Sequence, residues 1–284
     1  MPVNRPRIDQ FLVEQQLCAN RDEAQRLIRS GKVLVDEKVI DKPGTRIDPG
    51  LPVRLAVRTC PYVSRAGLKM EGAIRRFHLD LQDLVAADLG ASTGGFTDCL
   101  LQHGVSRVYA VDVGYGLLDY RLQTDARVVV MDRTNCRYLE RENLGEAVDL
   151  VTADLSFISL KTVFPAVARI VKQPGLALLL VKPQFEIGKG RVGKKGLVKQ
   201  PGDHVEVLEG TVRFLENQEW KLLDLAPSCL PGKTGNLEFF LLAENRPATH
   251  PFPLELIHAA VREAHEPPVP SVPGLSPAEY NEYG

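Results

Sequence analysis

A succession of short apolar runs, each separated from the next by residues at helical spacing, limits the fold more than any other feature. LVAADLG (84–90), RVYAVDVG (107–114), RVVVMD (127–132), AVDLVTADLS (147–156) and LALLLVKPQF (176–185) are the runs, and TGGFTDCLLQHG and LKTVFPAVARIVK are two of the intervening helical segments. Strands this uniformly apolar are buried on both faces, which requires a mostly parallel sheet covered by helices on each side. Two later strands, WKLLDLAPSCL (220–230) and NLEFFLLAEN (236–245), have no helix between them and predict an antiparallel hairpin at one edge. The fold class is therefore α/β, doubly wound, with an antiparallel edge strand. A helix near HVEVLEGTVRFLEN precedes the hairpin, and another is expected from Ser64, as N-cap, through Leu68, Ile74 and Phe77.

At 284 residues the chain has room for a second, smaller unit. Lys and Arg number 35 against 36 Asp and Glu, so any surface for nucleic acid must be local. The five cysteines are scattered and form no C-x-x-C pair, which argues against a disulfide framework or a zinc site and for a reducing compartment. His78, His103, His204, His250, His258 and His265 show no ligand spacing with cysteine or carboxylate partners, so no metal is expected. The opening MPVNRPRIDQF lacks the apolar core of a signal peptide, and no run nears the ~20 apolar residues that span a bilayer. The expectation is a soluble, cytoplasmic protein with no membrane partner.

Residues 5–58 read as a compact unit of two short helices and a small sheet. In NRDEAQRLIRSG, Asn20 is placed to cap the second helix and Gly31 to stop it. KVLVDEKVI alternates around an Asp36-Glu37 turn, and IDPGLPVRL supplies another turn and strand. The first 60 residues carry eleven Lys and Arg against eight Asp and Glu, a mild excess. The run RIDQFLVEQQLCANRDEAQRLIRSGKVLVDEKVIDKPGTRIDPG closely resembles the S4 RNA-binding domain. That resemblance implies that Arg7, Arg21, Arg26, Arg29 and Lys32 face an RNA backbone, where each phosphate contact adds salt-dependent affinity.

DLGASTGGF (88–96) leaves an apolar strand and opens a helix, where a doubly wound sheet presents backbone amides to a ligand. Gly90, Gly94 and Gly95 allow a sharp turn and close approach, with Ala91, Ser92 and Phe96 completing the loop and Asp88 pointing toward the site. The spacing is not G-x-G-x-x-G. Asp112 ends the second strand, placed for ribose hydroxyls, and Asp132 ends the third, placed for an adenine amino edge. Three strand-terminal aspartates in register favour S-adenosylmethionine as the guest, with a nicotinamide dinucleotide as the competitor.

Lys182 in LVKPQFE and Asp154 in ADLSF stand at the carboxyl ends of neighbouring strands, where each alone could be a solvated terminus. With Lys69 in SRAGLK and Glu238 in GNLEFF, they resemble the Lys-Asp-Lys-Glu tetrad of FtsJ-type ribose 2′-O-methyltransferases. Together with the S4-like unit, the chain resembles the TlyA (haemolysin A-like) family over residues 5–246. The resemblance implies a Rossmann-like class I methyltransferase domain at 65–246, an S4-like domain at 1–59, a linker at 60–64 and an extension at 247–284, Pro-rich and flexible from about 265. It further implies catalytic roles for Lys69, Asp154, Lys182 and Glu238, a cofactor contact by Asp154, and cytidine 2′-hydroxyls of 16S and/or 23S ribosomal RNA as substrate.

The chemistry suits those residue types. A ribose hydroxyl is a poor nucleophile, and in-line attack on a sulfonium methyl needs alignment and a proton acceptor. Our hypothesis is that Lys182 takes the proton while the other three position it and the hydroxyl. Desolvation and Lys69 favour a neutral amine, whereas Asp154 favours the cation.

After Phe185, EIGKGRVGKKGLVKQPGDH interleaves Lys189, Arg191, Lys194, Lys195 and Lys199 with glycines. It reads as an RNA-facing loop beside the site that orders on phosphate binding. Two other readings stand beside the enzyme: an RNA-binding, ribosome-associated factor without activity, and a membrane-lytic protein, which no transmembrane or strongly apolar amphipathic segment supports.

Overall fold

The structure is a computed structural model that describes residues 5–29, 31–55, 60–188 and 190–266, with Lys194 described in its backbone alone. It divides into two compact units between Thr59 and Cys60.

The first unit comprises α1 (Ile8–Glu14), α2 (Arg21–Arg29), β1 (Val33–Val35), β2 (Lys38–Ile40) and β3 (Val53–Leu55), with the sheet ordered β2-β1-β3. Asn20 Oδ1 accepts the Glu23 N–H at 2.9 Å at the start of α2. At its end, the Lys32 N–H reaches the Leu27 carbonyl and the Gly31 N–H reaches that of Ile28, the Schellman pattern, with Gly31 at φ +71°. Asp36 and Glu37 both have positive φ, the requirement of a tight hairpin turn whose twist matches its strands. Ile8, Leu12, Ala24, Ile28 and Val33 close the core.

Asp9 is fully buried in this unit and accepts Arg7 Nε and Nη2 at 3.0 Å and Arg21 Nε at 3.1 Å. The Arg7 hydrogen bonds hold its carboxyl down at about 2. Arg7 and Arg21, read as RNA-facing, thus share an internal carboxylate that fixes their direction. Arg26 and Arg29 are exposed on α2, and Lys32 is half-buried.

The second unit runs α3 (Ala66–Arg76), β4 (Val85–Leu89), α4 (Gly95–Gln102), β5 (Arg107–Val111), α5 (Tyr120–Gln123), β6 (Val128–Met131), α6 (Arg141–Leu144), β7 (Val148–Ala153), α7 (Leu160–Ile170), β8 (Val171–Val181), α8 (Pro183–Glu186), α9 (Pro201–Asn217), β9 (Lys221–Pro227), β10 (Phe239–Glu244) and α10 (Leu254–His265). Its sheet is ordered β6-β5-β4-β7-β8-β10-β9. Strands β4 to β8 are parallel, and β9 and β10 form the antiparallel edge, with β10 between β8 and β9 and antiparallel to both. Successive residues of each strand face opposite sides. Ala86, Val108, Leu150 and Leu178 pack with α3 and α4, whereas Ala87, Tyr109, Val151 and Ala177 pack with α7, α9 and α10.

Several local expectations change. The N-cap of α3 is Arg65, one residue later than the pattern suggested, and the Ser64 carbonyl takes the Gly67 N–H in the turn that opens the helix. Residues 60–64, expected as a linker, belong to the second unit: Tyr62 is buried with its hydroxyl on Glu71 at 2.8 Å, and the Val63 N–H donates to Asp98 at 2.8 Å. The extension contains α10, whose Ile257 and Val261 join the core. Its prolines at 267, 268, 270, 273 and 277 lie outside the described residues. His103 does meet a carboxylate and a cysteine: Glu71, Cys99 and His103 present ligand-type atoms within 4.8 Å of one another. Folding brings α3 against α4, a juxtaposition invisible as spacing, and the same carboxylate already binds Tyr62 and Arg75.

Candidate active site

Four side chains from separate segments converge at the carboxyl end of the parallel strands. Asp154 follows β7 and Lys182 follows β8, as chain continuity requires. Glu238 arrives there because β10 runs backwards: Phe239 pairs with Val181, so the start of β10 lies beside the end of β8. Lys69 comes from α3.

Lys69 Nζ lies 2.5 Å from Glu238 Oε2, with both side chains under a tenth exposed, and Lys182 Nζ lies 2.6 Å from Asp154 Oδ1. Lys182 Nζ also donates to Ser156 Oγ at 3.1 Å. Asp154 Oδ1 is buried against the Lys182 amine, and Gln184 Oε1 is buried with no hydrogen-bond donor. A buried acceptor left open, as at Gln184, is costly unless something fills it.

All four residues line a cavity of about 480 Å³, in the range of ligand pockets. Asp88, Gly90, Ala91, Ser92, Gly95 and Phe96 form another part of its wall. Gly90 is at φ +83°, and a Cβ there would sit 2.7 Å from the Asp154 carbonyl oxygen, so glycine is required on two counts. Gly94, at φ +94°, turns the chain into α4 but stands outside the lining. Asp88 is buried and accepts Thr97 Oγ1 at 2.7 Å and Thr152 Oγ1 at 3.0 Å; burial pushes its carboxyl up to about 6, and the Asp154 charge adds to the rise. Its oxygens therefore brace α4 and β7.

Asp112 and Asp132 also stand outside the lining. Asp112 accepts the Ser92 N–H at 2.8 Å and the Gly114 N–H at 2.7 Å, and Asp132 accepts the Gly116 N–H at 2.9 Å. Both are held by the loops that flank the glycine turn.

Sequence reasoning passed over Arg65, Ser156, Phe157, Gln184, Phe185 and Lys233, which also line the cavity. Ser156 and Phe157 are the neighbours of Asp154 in ADLSF and carried a signal by adjacency. Phe157 is 91 % exposed, adopts φ +64° and meets the Phe185 ring at 5.2 Å with the planes tilted by 48°.

The basic stretch after α8 is less uniform than its composition suggested. Arg191 is engaged by Asp203 at 2.6 Å and by Glu206, which ties it to α9. Lys195 and Lys199 are exposed. Lys189 and the Lys194 side chain lie outside the described residues. Asn236, buried, accepts the Val198 N–H at 2.9 Å and donates to the Gly196 carbonyl at 2.9 Å, strapping this segment beside Glu238.

Residues 62–245, which hold the seven-stranded sheet and its cavity, match the FtsJ-like methyltransferase family model and so define this unit as a methyltransferase, and residues 6–53 match the S4 domain. Among curated proteins, "16S/23S rRNA (cytidine-2'-O)-methyltransferase TlyA" of Mycobacterium tuberculosis is 42% identical, over 84% of this chain and 89% of its own. "Putative rRNA methyltransferase YqxC" of Bacillus subtilis is 41% identical, over 94% of this chain and 96% of its own. The solved structure "Putative hemolysin from Streptococcus thermophilus" superposes with a TM-score of 0.73 at 37% identity, covering 93% of this chain and 96% of that one. The chain belongs to the TlyA family of S4-bearing, FtsJ-like methyltransferases.

Proposed function

We propose that this protein transfers a methyl group from S-adenosylmethionine to a ribose 2′-hydroxyl of ribosomal RNA, with cytidine as the nucleoside and the small subunit, the large subunit or both as substrate. The observation that carries the reading is the convergence of Lys69, Asp154, Lys182 and Glu238 on one cavity whose wall includes the Gly90–Phe96 loop. The names of the relatives supply the RNA substrate, and the S4 domain supplies a reason for it to bind.

The cavity suits the cofactor: its glycine turn lets a ligand approach the backbone, and the open acceptor at Gln184 suits a donor-bearing guest. Gly90, Ala91, Ser92, Gly95 and Phe96 would hold it, Asp112 and Asp132 would take its hydroxyl and amino donors, and Asp88 would keep the wall in place. When bound, S-adenosylmethionine supplies an electrophilic methyl. Lys182, in its neutral amine form, serves as proton acceptor for the ribose hydroxyl and becomes the ammonium that Asp154 pairs with, while Asp154 and Ser156 aim its nitrogen. The Lys69–Glu238 pair fixes the opposite side, so that the hydroxyl is held in line by donors and acceptors that need no reorganisation. Phe157 offers an aromatic face to the target base, the usual means of holding an unstacked nucleotide. Arg7, Arg21, Arg26, Arg29, Lys32, Lys189, Lys194 and Lys195 supply backbone contacts, with Arg191 acting from its ion pairs. This reading places the protein with ribosomes in the cytoplasm.

The test is to incubate the protein with methyl-labelled S-adenosylmethionine and isolated ribosomal subunits and to map 2′-O-methylation. Label at a ribose 2′-oxygen supports the proposal. Cofactor and RNA binding without label would replace it with an RNA-binding factor.

A further inference from the structure

Two loops carry the lysine and aspartate of the cavity, and a carboxylate outside the cavity ties them together. Glu186 closes α8, four residues after Lys182, and does not line the cavity. Its Oε2 accepts Ser159 Oγ at 2.6 Å and its Oε1 accepts the Leu160 N–H at 2.7 Å, at the N-terminus of α7. Three rungs thus join Asp154–Leu160 to Lys182–Glu186: Lys182 to Asp154 and Ser156, Phe185 to Phe157, and Glu186 to Ser159 and Leu160.

The need for an outer rung is visible in the backbone. Phe157 sits at φ +64°, a conformation that L-aromatic residues adopt only where the chain is fixed on both sides. On the near side the Asp154 N–H is held by the Leu89 carbonyl at 3.1 Å. Glu186 supplies the far side, where a carboxylate also complements the positive end of an 11-residue helix. Without it, the strained turn can relax, and Asp154 and Ser156 lose their set distance to Lys182.

We propose that Glu186 is a positioning residue for methyl transfer, acting through the Asp154–Ser159 loop; this rests on the reaction proposed above. The full chain is compared with Glu186→Ala, Glu186→Gln and Ser159→Ala by kcat and RNA KM, by calorimetric affinity for S-adenosylmethionine, and by thermal melting. A misplacement near 1 Å costs on the order of 100-fold, so Glu186→Ala should lose at least about tenfold in kcat with KM and cofactor affinity within about twofold. Gln still accepts the Leu160 N–H and donates to Ser159 Oγ, and should restore most of the rate. Ser159→Ala, which removes one of the two bonds together with the Oγ that caps α7 through the Lys161 N–H, should fall between in kcat and lower the melting temperature modestly.

Wild-type kcat in Glu186→Ala overturns the proposal, as does a Gln variant no better than Ala. If Glu186→Ala does not fold, Ser159→Ala decides, and wild-type kcat there overturns it equally. An inactive parent protein would refute the underlying reaction, whereas an active parent indifferent to Glu186→Ala refutes the positioning role alone.

Discussion

Lys182 Nζ stands 2.6 Å from Asp154 Oδ1 and 3.1 Å from Ser156 Oγ, so the carboxylate and the hydroxyl together set the direction of the amine. Ser156→Ala should therefore let the amine swing. The expected result is a lowered kcat with unchanged cofactor affinity, read from single-turnover transfer beside calorimetry.

Lys69 and Glu238 form a buried pair at 2.5 Å, and a buried ion that loses its partner is strongly unfavourable. Glu238→Gln should destabilise the protein by about 3 kcal/mol in denaturant unfolding. Combining it with Lys69→Met should recover most of that stability while transfer stays low, separating the structural role of the pair from its role in alignment.

Asp88 gives a pH signature. Its folded-state value is raised from 3.8 to about 6, so the folded protein binds the proton more tightly than the unfolded chain. The stability it contributes is complete below pH 3.8 and is lost as pH rises through 6. Asp88→Asn removes this slope, so the wild-type advantage over the variant should shrink by roughly 2 kcal/mol between pH 4 and pH 7 in parallel denaturant titrations. A constant difference across that range would contradict the assignment.

Phe157, 91 % exposed and at φ +64°, is poorly placed for stability. Phe157→Gly should leave the melting temperature unchanged or higher, because relief of the left-handed strain offsets the missing stacking on Phe185. RNA KM should rise, and cofactor affinity should not move.

In the basic segment, Lys195→Gln with Lys199→Gln should weaken RNA binding and reduce the salt slope by about one for each phosphate that a lysine no longer neutralises. An unchanged slope would show that these exposed lysines meet no phosphate.

The parallel sheet was legible because burial on both faces leaves an unbroken apolar signature, as in LALLLV, and the strand ends then located Asp154 and Lys182. Glu238 was reachable by resemblance alone, since its position depends on the reversed direction of β10, which strand patterning does not encode. Arg7 and Arg191 were read as RNA-facing charges, and their carboxylate partners emerge from the folded structure: Asp9, buried beside Arg7, and Asp203 and Glu206 on α9. Helix α10 was obscured by prolines on both sides, although its 12 residues carry an apolar stripe.

The central claim is that Lys182 accepts the ribose proton in a cavity that holds S-adenosylmethionine. The most direct measurement is single-turnover transfer of labelled methyl to ribosomal RNA by wild type and Lys182→Ala, with cofactor affinity measured in parallel. The account predicts transfer to a 2′-oxygen by the wild type and a loss of at least about 100-fold in the variant, the scale of general-base catalysis, with cofactor affinity retained. Near-normal transfer by Lys182→Ala would contradict it.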